Sequence, residues 1–166
     1  MISTHIQDFY IKPAVREDAR TILYFIKQLA IYEKLLHEVV ASEEQIRTYL
    51  FGENPVAEVV IGFQKDTPVG FALFFHNFST FLGKPGIYLE DLFVLEEYRG
   101  KGYGKALLAY LARLAMERDC GRLEWAVLDW NEPSIEFYRS LGARTLDEWI
   151  INRLTGEALE KLAEQL

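Results

Sequence analysis

The most informative part of the sequence is Leu89-Glu90-Asp91-Leu92-Phe93-Val94, followed shortly by Arg99-Gly100-Lys101-Gly102-Tyr103-Gly104. The first part is mostly apolar and predicts a strand, and the second is a glycine-rich turn that opens an amphipathic helix over residues 102–117. Glycines let successive amides point the same way, and a helix N-terminus carries a partial positive charge. With Arg99, Lys101 and Lys105 beside it, this turn is predicted to bind phosphate oxygens.

Two common nucleotide-binding motifs do not account for this turn. A phosphate loop of the ATPase kind ends in Gly-Lys-Ser/Thr, whereas this chain has Gly104-Lys105-Ala106. A dinucleotide fold places its glycine turn after the first strand of a β-α-β unit. Here the turn follows the fourth predicted strand, so neither motif is supported.

Outward from the turn, the sequence alternates between strand and helix patterns. Before it we predict a strand, two helices and a three-stranded meander, over residues 8–12, 16–36, 42–50, 56–64, 68–79 and 86–95. Ser42 and Gln45 form a capping box for the second helix, and Lys65-Asp66-Thr67 joins two strands in a hairpin. After the turn we predict elements over residues 123–128 (strand), 131–141 (helix), 144–151 (one or two strands) and from 155 (helix). Meander strands followed by crossover helices predict an α/β (α+β) fold, with a mixed central sheet and helices on both faces.

Composition narrows the class of protein. The chain has 166 residues, half of them apolar, and a net charge of −7. No linker or repeat interrupts residues 1–166, so we expect one domain. The net negative charge disfavours binding to a nucleic-acid backbone. No apolar run approaches the length of a membrane span, so we expect a cytoplasmic protein. His5, His37 and His76 lack metal-ligand spacing, and Cys120 is the lone cysteine, so no metal site is expected.

The turn and two further motifs resemble a known family. Arg99, Gly102 and Gly104 match the Arg/Gln-x-x-Gly-x-Gly/Ala signature of the GNAT acetyltransferases. The block from Tyr88 to Val94 and the block Trp130-Asn131-Glu132-Pro133-Ser134-Ile135-Glu136-Phe137-Tyr138 are similar to the spermidine/spermine (diamine) acetyltransferases. The similarity extends from about Tyr10 to Trp149. It implies a GNAT-like, mostly antiparallel sheet, an acetyl-CoA cosubstrate and a homodimer.

The resemblance also assigns residues to acetyl-CoA. The turn would hold the pyrophosphate, the strand after Glu90 would hold the thioester carbonyl and pantetheine through its backbone, and the later helix would contact the pantetheine arm. The residues implied are Leu92, Phe93, Val94, Arg99, Gly100, Lys101, Gly102, Tyr103, Gly104, Lys105, Asn131, Pro133, Ser134 and Tyr138.

Acyl transfer to an amine needs a base near the amine and an acid near the sulfur, because a primary amine is protonated at neutral pH. Glu90 lies in an otherwise apolar strand, where burial would raise its pKa toward that of a useful base. Alternatively, Glu90 is an exposed carboxylate at a sheet edge or part of a structural ion pair. The resemblance favours Glu90 as the base, acting through water, and Tyr138 as the acid. In a regular strand Asp91 would point to the opposite face, so we expect it to be structural.

The amine site is implied by the end of the first helix. Tyr32 and Glu33 match the family's amine-binding residues, and Glu124 and Trp125 are expected from their position to line the same cleft. The family tends to have acidic residues just after Tyr-Glu, whereas this chain has Lys34, Leu35, Leu36 and His37. Less negative charge remains for a long polyamine, which leaves a shorter diamine or an amino-acid side chain such as thialysine.

The sequence therefore predicts direct N-acetyl transfer from acetyl-CoA to the primary amine of a small molecule, in a ternary complex. Cys120 has no base beside it, which argues against a covalent acyl-enzyme. Two alternatives stay open: acetylation of a protein N-terminus or lysine, and a non-catalytic module that binds acetyl-CoA.

Overall fold

The computed structural model describes all 166 residues, and its centre is one six-stranded sheet in the order β1-β2-β3-β4-β5-β6. The strands are β1 Ile2–Ser3, β2 Phe9–Pro13, β3 Glu58–Gln64, β4 Thr67–Ser79, β5 Lys84–Val94 and β6 Leu123–Trp125. All neighbouring strands pair antiparallel except β5 and β6, which pair parallel. The mixed, mostly antiparallel sheet is confirmed, as is the hairpin at residues 65–67. β1 is an additional edge strand that was not predicted.

Five α-helices accompany the sheet: α1 Ala19–Tyr32, α2 Glu43–Phe51, α3 Tyr103–Glu117, α4 Glu132–Ser140 and α5 Gly156–Ala163. Short 3₁₀ turns cover Arg16–Asp18, Leu36–Glu38 and Glu96–Tyr98. The predicted capping box of α2 is confirmed, because Gln45 N donates to Ser42 Oγ at 3.2 Å and Ser42 N donates to Gln45 Oε1 at 2.9 Å. No helix is long and apolar enough to span a membrane.

Helices lie on both faces of the sheet, and each face has its own buried cluster. The α3 cluster comprises Phe9, Ile11, Val60, Val69, Ala72, Phe74, Ile87, Leu89, Tyr103, Leu107, Leu111 and Ala115. The α1–α2 cluster comprises Ala19, Ile22, Leu23, Phe25, Ile46, Val59, Ile61, Phe71, Phe93 and Leu95. On β3, Val60 belongs to the α3 cluster, and its neighbours Val59 and Ile61 belong to the α1–α2 cluster. This is expected because successive side chains of a strand point to opposite faces of the sheet.

The first helix is shorter than the predicted range 16–36. It ends at Tyr32, because Lys34 adopts the left-handed conformation (φ 62°) and Leu35 N donates back to the carbonyl of Ala30 at 2.8 Å. This 6→1 hydrogen bond is the Schellman pattern that closes a helix, here without the usual glycine. The early end leaves Glu33 as the C-terminal cap of α1.

The chain divides into two compact units, residues 1–126 and 127–166. The second unit contains α4 and α5, both of which were predicted. The strands expected over residues 144–151 do not form, so that prediction was wrong. A strand needs hydrogen-bonding partners, and this segment pairs with none, while Trp149, Ile150 and Ile151 are exposed.

Candidate active site

The glycine turn requires glycine at two of its positions. Gly100 has φ 75° and Gly102, which caps the N-terminus of α3, has φ 84°. Side chains other than glycine rarely adopt this region. Gly104 is different, since it lies within the helix and an added Cβ would meet Val94 Cγ2 at an ordinary 3.9 Å. The turn therefore depends on Gly100 and Gly102, while the fold itself accepts a small side chain at Gly104.

The backbone amides of this turn are not used in hydrogen bonds within the protein. The first amide of α3 that donates within the helix is Ala106 N, to the carbonyl of Gly102 at 2.9 Å. The amides of residues 100–105 have no acceptor within the chain. Adjacent unpaired amides at a helix N-terminus form a cradle for an anion. The turn is thus suited to the diphosphate that the sequence predicts there.

Two of the turn's side chains, Arg99 and Tyr103, contact other parts of the protein. The Nε of Arg99 donates to the carbonyl of Val94 at 3.0 Å, and its guanidinium lies 4.6 Å from the centre of the Tyr32 ring. Tyr103 is buried and stacks on Phe9 at 4.1 Å, so only its amide is available to a ligand. The Lys101 ammonium lies 5.0 Å from the centre of the Tyr98 ring.

Strand β5 has a free edge directly before the turn. Its pairing with β6 runs only through Ile87, Tyr88 and Leu89, whereas its pairing with β4 continues to Val94. The backbone from Glu90 to Val94 therefore lacks a strand neighbour on one side. Such an edge can pair with an extended ligand. Leu92, Phe93 and Val94, predicted to hold the pantetheine, lie on this edge.

A β-bulge interrupts β5 where the free edge begins. On β4, Leu73 pairs with Asp91 and the next residue, Phe74, pairs with Leu89, so Glu90 is the extra residue. Leu89 packs in the α3 cluster and Phe93 in the α1–α2 cluster, although regular alternation would put both on one face. The strand is therefore not regular here, and the condition under which Asp91 was expected to point away from the face of Glu90 is not met. The bulge turns Asp91 toward α1.

The bulge also gives the two adjacent carboxyls different exposure to solvent. Glu90 is exposed, while Asp91 is half-buried on the α1 face. The pKa of Asp91 is raised to about 7, mainly by burial and in smaller part by the neighbouring carboxylates of Glu90 and Glu33. The pKa of Glu33 is itself raised by burial. We call Glu33, Glu90 and Asp91 the carboxylate cluster.

An aromatic side chain adjoins the carboxylate cluster. Tyr88 is half-buried, its ring centre lies 5.2 Å from that of Phe75, and its pKa is raised by burial and by the charges of Glu90 and Glu124. These side chains are on the α1 face of the sheet, next to the end of α1. A cation is favoured there, because carboxylates attract it and a tyrosine ring offers a negative face.

Glu124 and Trp125, expected to line one cleft, lie on opposite faces of β6. Trp125 packs against the α3 cluster, next to Leu89 in the parallel register. Glu124 is on the α1 face, where it is held by Arg122 Nε at 2.8 Å and accepts a hydrogen bond from Asn77 Nδ2 at 3.1 Å. No group of three or more His, Cys, Asp or Glu side chains is arranged to hold a metal ion.

The second unit carries the remaining predicted residues on α4. Asn131 is buried at the N-cap position and its carbonyl accepts from Ile135 N at 3.0 Å; Pro133 lies in the first turn. Ser134 and Tyr138 are four residues apart and therefore share one face of the helix. The Tyr138 ring lies 5.3 Å from that of Phe137.

Sequence reasoning missed the orientation of Asp91 toward α1. One signal was present in the sequence, namely two adjacent carboxylates in an otherwise apolar strand. Adjacent side chains of a regular strand point to opposite faces, so in a sheet covered on both faces one carboxylate would enter a hydrophobic core. The bulge instead places both carboxyls on the α1 face.

The comparisons with known proteins agree with the geometry. The sequence profile described as the Acetyltransferase (GNAT) family matches residues 22–143. The chain is 38% identical to a thialysine N-epsilon-acetyltransferase of Mus musculus, with 98% of this chain and 99% of that protein aligned. It is 32% identical to an L-ornithine N5-acetyltransferase of Arabidopsis thaliana, over 92% of this chain and 86% of the relative.

Solved structures show the same architecture. An integron cassette protein from the mobile metagenome of V. cholerae matches with a TM-score of 0.80 and 29% identity, covering 95% of this chain and 99% of that one. An aminoglycoside acetyltransferase from a soil metagenome matches in fold, with a TM-score of 0.76 at 17% identity over 90% and 97% of the two chains. On these findings, the chain belongs to the GNAT family of acetyl-CoA-dependent N-acetyltransferases.

Proposed function

We propose that the enzyme transfers the acetyl group of acetyl-CoA directly to a primary amine of a small cationic molecule, such as a short diamine or the side chain of thialysine or ornithine. The observation that carries this proposal is the carboxylate cluster, which adjoins the free edge of β5 in the same unit as the glycine turn. The relatives named for thialysine and ornithine acetylation support the same substrate class.

In this proposal acetyl-CoA is held by backbone groups. The amides of residues 100–105 bind the diphosphate, and the edge formed by Leu92, Phe93 and Val94 binds the pantetheine and the thioester carbonyl. Asn131, Pro133 and Ser134 of α4 contact the pantetheine arm. The thioester supplies the acyl group, and Tyr138 donates a proton to the sulfur as it leaves.

The amine is bound by charge and by an aromatic surface. Tyr32, Glu33 and the Glu90–Asp91 pair face its ammonium, and one carboxyl of the pair takes a proton from it. Lys34 follows Glu33 directly and repels a further positive charge beyond the cluster. A compact amine is therefore preferred to a long polyamine. A cytoplasmic location and a homodimer remain predictions.

The test is a thiol-release assay with acetyl-CoA and a panel of acceptors: short diamines, spermine, thialysine, ornithine and peptides with free N-termini. We expect kcat/KM for the compact amines to exceed that for spermine and peptides by about tenfold or more. Preference for peptides would support protein acetylation instead. Binding of acetyl-CoA without turnover on any acceptor would support a non-catalytic module.

Two glycine variants provide a matched control for acetyl-CoA binding. Gly102→Ala forces a side chain into the left-handed region and should weaken acetyl-CoA binding about tenfold, whereas Gly104→Ala should bind it nearly as wild type does. Tyr138→Phe should lower kcat by about 10²-fold without weakening acetyl-CoA binding. A wild-type kcat in Tyr138→Phe would refute its role as the acid.

A further inference from the structure

Two adjacent carboxyls face the proposed amine site, and the structure distinguishes them. Glu90 is the exposed extra residue of the bulge, while Asp91 is half-buried and paired in register with Leu73. The bulge gives Asp91 a fixed backbone position, because its strand neighbour on the β4 side is retained. A proton acceptor needs such a fixed, desolvated position beside the reacting nitrogen.

The charged groups around Asp91 are carboxylates. Glu90 faces it from β5 and Glu33 from the end of α1, and β4 contributes the apolar Leu73. The side chain of Asp91 forms no hydrogen bond or ion pair within the chain. The cation of the neighbouring turn, Arg99, is hydrogen-bonded to the carbonyl of Val94 and stacked on Tyr32. Nothing in the fold therefore neutralises Asp91, and a cation from outside would be drawn to it.

We propose that Asp91, rather than Glu90, is the carboxylate that takes the proton from the substrate ammonium. This inference rests on the proposed amine acetylation. The ammonium gives one proton to Asp91 and becomes a neutral amine, whose lone pair forms the N–C bond to the acetyl carbonyl. As the C–S bond breaks, the nitrogen loses a second proton and the sulfur gains one. The net products are the N-acetylated amine, coenzyme A and one proton, which Asp91 releases to solvent.

Burial gives Asp91 a basicity that an ordinary carboxylate lacks. An alkylammonium has a pKa near 10.4, so its proton moves uphill to any carboxylate. Raising the acceptor's pKa from 3.8 to about 7 makes this transfer about 10³-fold less unfavourable. Glu90 and Glu33 contribute negative charge, which favours the bound ammonium and raises the pKa of Asp91.

The experiment compares Asp91→Asn with Glu90→Gln across pH, using an acceptor that wild type acetylates. Wild-type kcat/KM should show an inflection near pH 7, because this parameter reports ionisations of the free enzyme. Asp91→Asn should lose that inflection and about 10²-fold in kcat at neutral pH. Glu90→Gln should retain the inflection at a lower pH, because removal of one negative charge lowers the pKa of Asp91. Acetyl-CoA binding is measured in each variant as the control for folding.

A second acceptor separates proton transfer from ammonium binding. A fluorinated analogue of the same amine, largely neutral at the assay pH, needs no base, so the kcat defect of Asp91→Asn should nearly disappear with it. If Asp91→Asn raises only KM and keeps the inflection, or if Glu90→Gln is the variant that loses it, this inference is overturned. Failure of the proposed function is a separate outcome, because wild type would then acetylate no small amine.

Discussion

Two acidic sites on the two faces of the same sheet have opposite environments. On the α3 face, Glu58 accepts two hydrogen bonds from Arg118, at 2.6 and 2.8 Å, and Arg118 Nη1 lies 3.3 Å from His76 Nε2. On the α1 face, Asp91 is surrounded by Glu33 and Glu90. The hydrogen bond from Arg118 lowers the pKa of Glu58, whereas burial and like charges raise that of Asp91.

The comparison shows that the ionised form of Glu58 stabilises the fold, whereas the ionised form of Asp91 destabilises it. The Glu58–Arg118 pair connects the end of α3 to β3, and the charge of Glu58 is balanced by the guanidinium. A buried carboxylate without a cation costs stability, and proteins retain such groups mainly at functional sites. The opposite pKa directions therefore support the proposed amine site on the α1 face.

The largest expected effect is on stability in Asp91→Asn. Because the pKa of Asp91 is raised in the folded state, the unfolded chain binds fewer protons between about pH 4 and 7, so wild-type stability falls as pH rises through that range. A rise from 3.8 to about 7 corresponds to on the order of 4 kcal/mol above pH 8. Asp91→Asn should be more stable than wild type by up to that amount at pH 8, and equal to it near pH 4. Urea unfolding at both pH values measures this, and a variant less stable at pH 8 would contradict the burial argument.

A smaller effect of opposite sign is expected for Glu58→Gln. The folded-state pKa of Glu58 is lowered, so its contribution is present above about pH 4.5 and is lost as pH falls through the folded pKa. Since the pair is partly exposed, the variant should lose only about 1 kcal/mol at pH 7. Glu117→Gln is the matched control, because it removes a surface pair with Arg113 at 2.7 Å and should cost a few tenths of a kcal/mol. Equal losses in the two variants would show that the Glu58 pair has no special role.

The smallest effect is expected for Glu33→Gln. Removing this charge should lower the pKa of Asp91 by less than about one pH unit, because burial is the larger cause of the raised value. Carbon-13 NMR titration of the Asp91 carboxyl measures the change directly. Glu97→Gln, an exposed substitution in the turn before α3, should leave the titration as in wild type. A larger change in Glu97→Gln than in Glu33→Gln would rule out the arrangement described here.

Local sequence patterns predicted most of the elements. Hydrophobic periodicity located α3 and the meander strands, and the Ser42 capping box fixed the start of α2, because these signals depend on residues close in the chain. The end of α1 was misplaced, since Lys34 takes a left-handed conformation usually adopted by glycine. The strands over residues 144–151 were predicted from composition, but whether a segment pairs depends on a partner elsewhere in the chain.

The glycine turn and the family resemblance could be identified without a structure, because each depends on short motifs of neighbouring residues. Which of the two adjacent carboxyls is less exposed could not be predicted in this way. That choice depends on the register of β5 against β4, where one extra residue at Glu90 turns Asp91 toward α1. Register is set by pairing between distant segments, and a shift of one residue exchanges the faces of a strand.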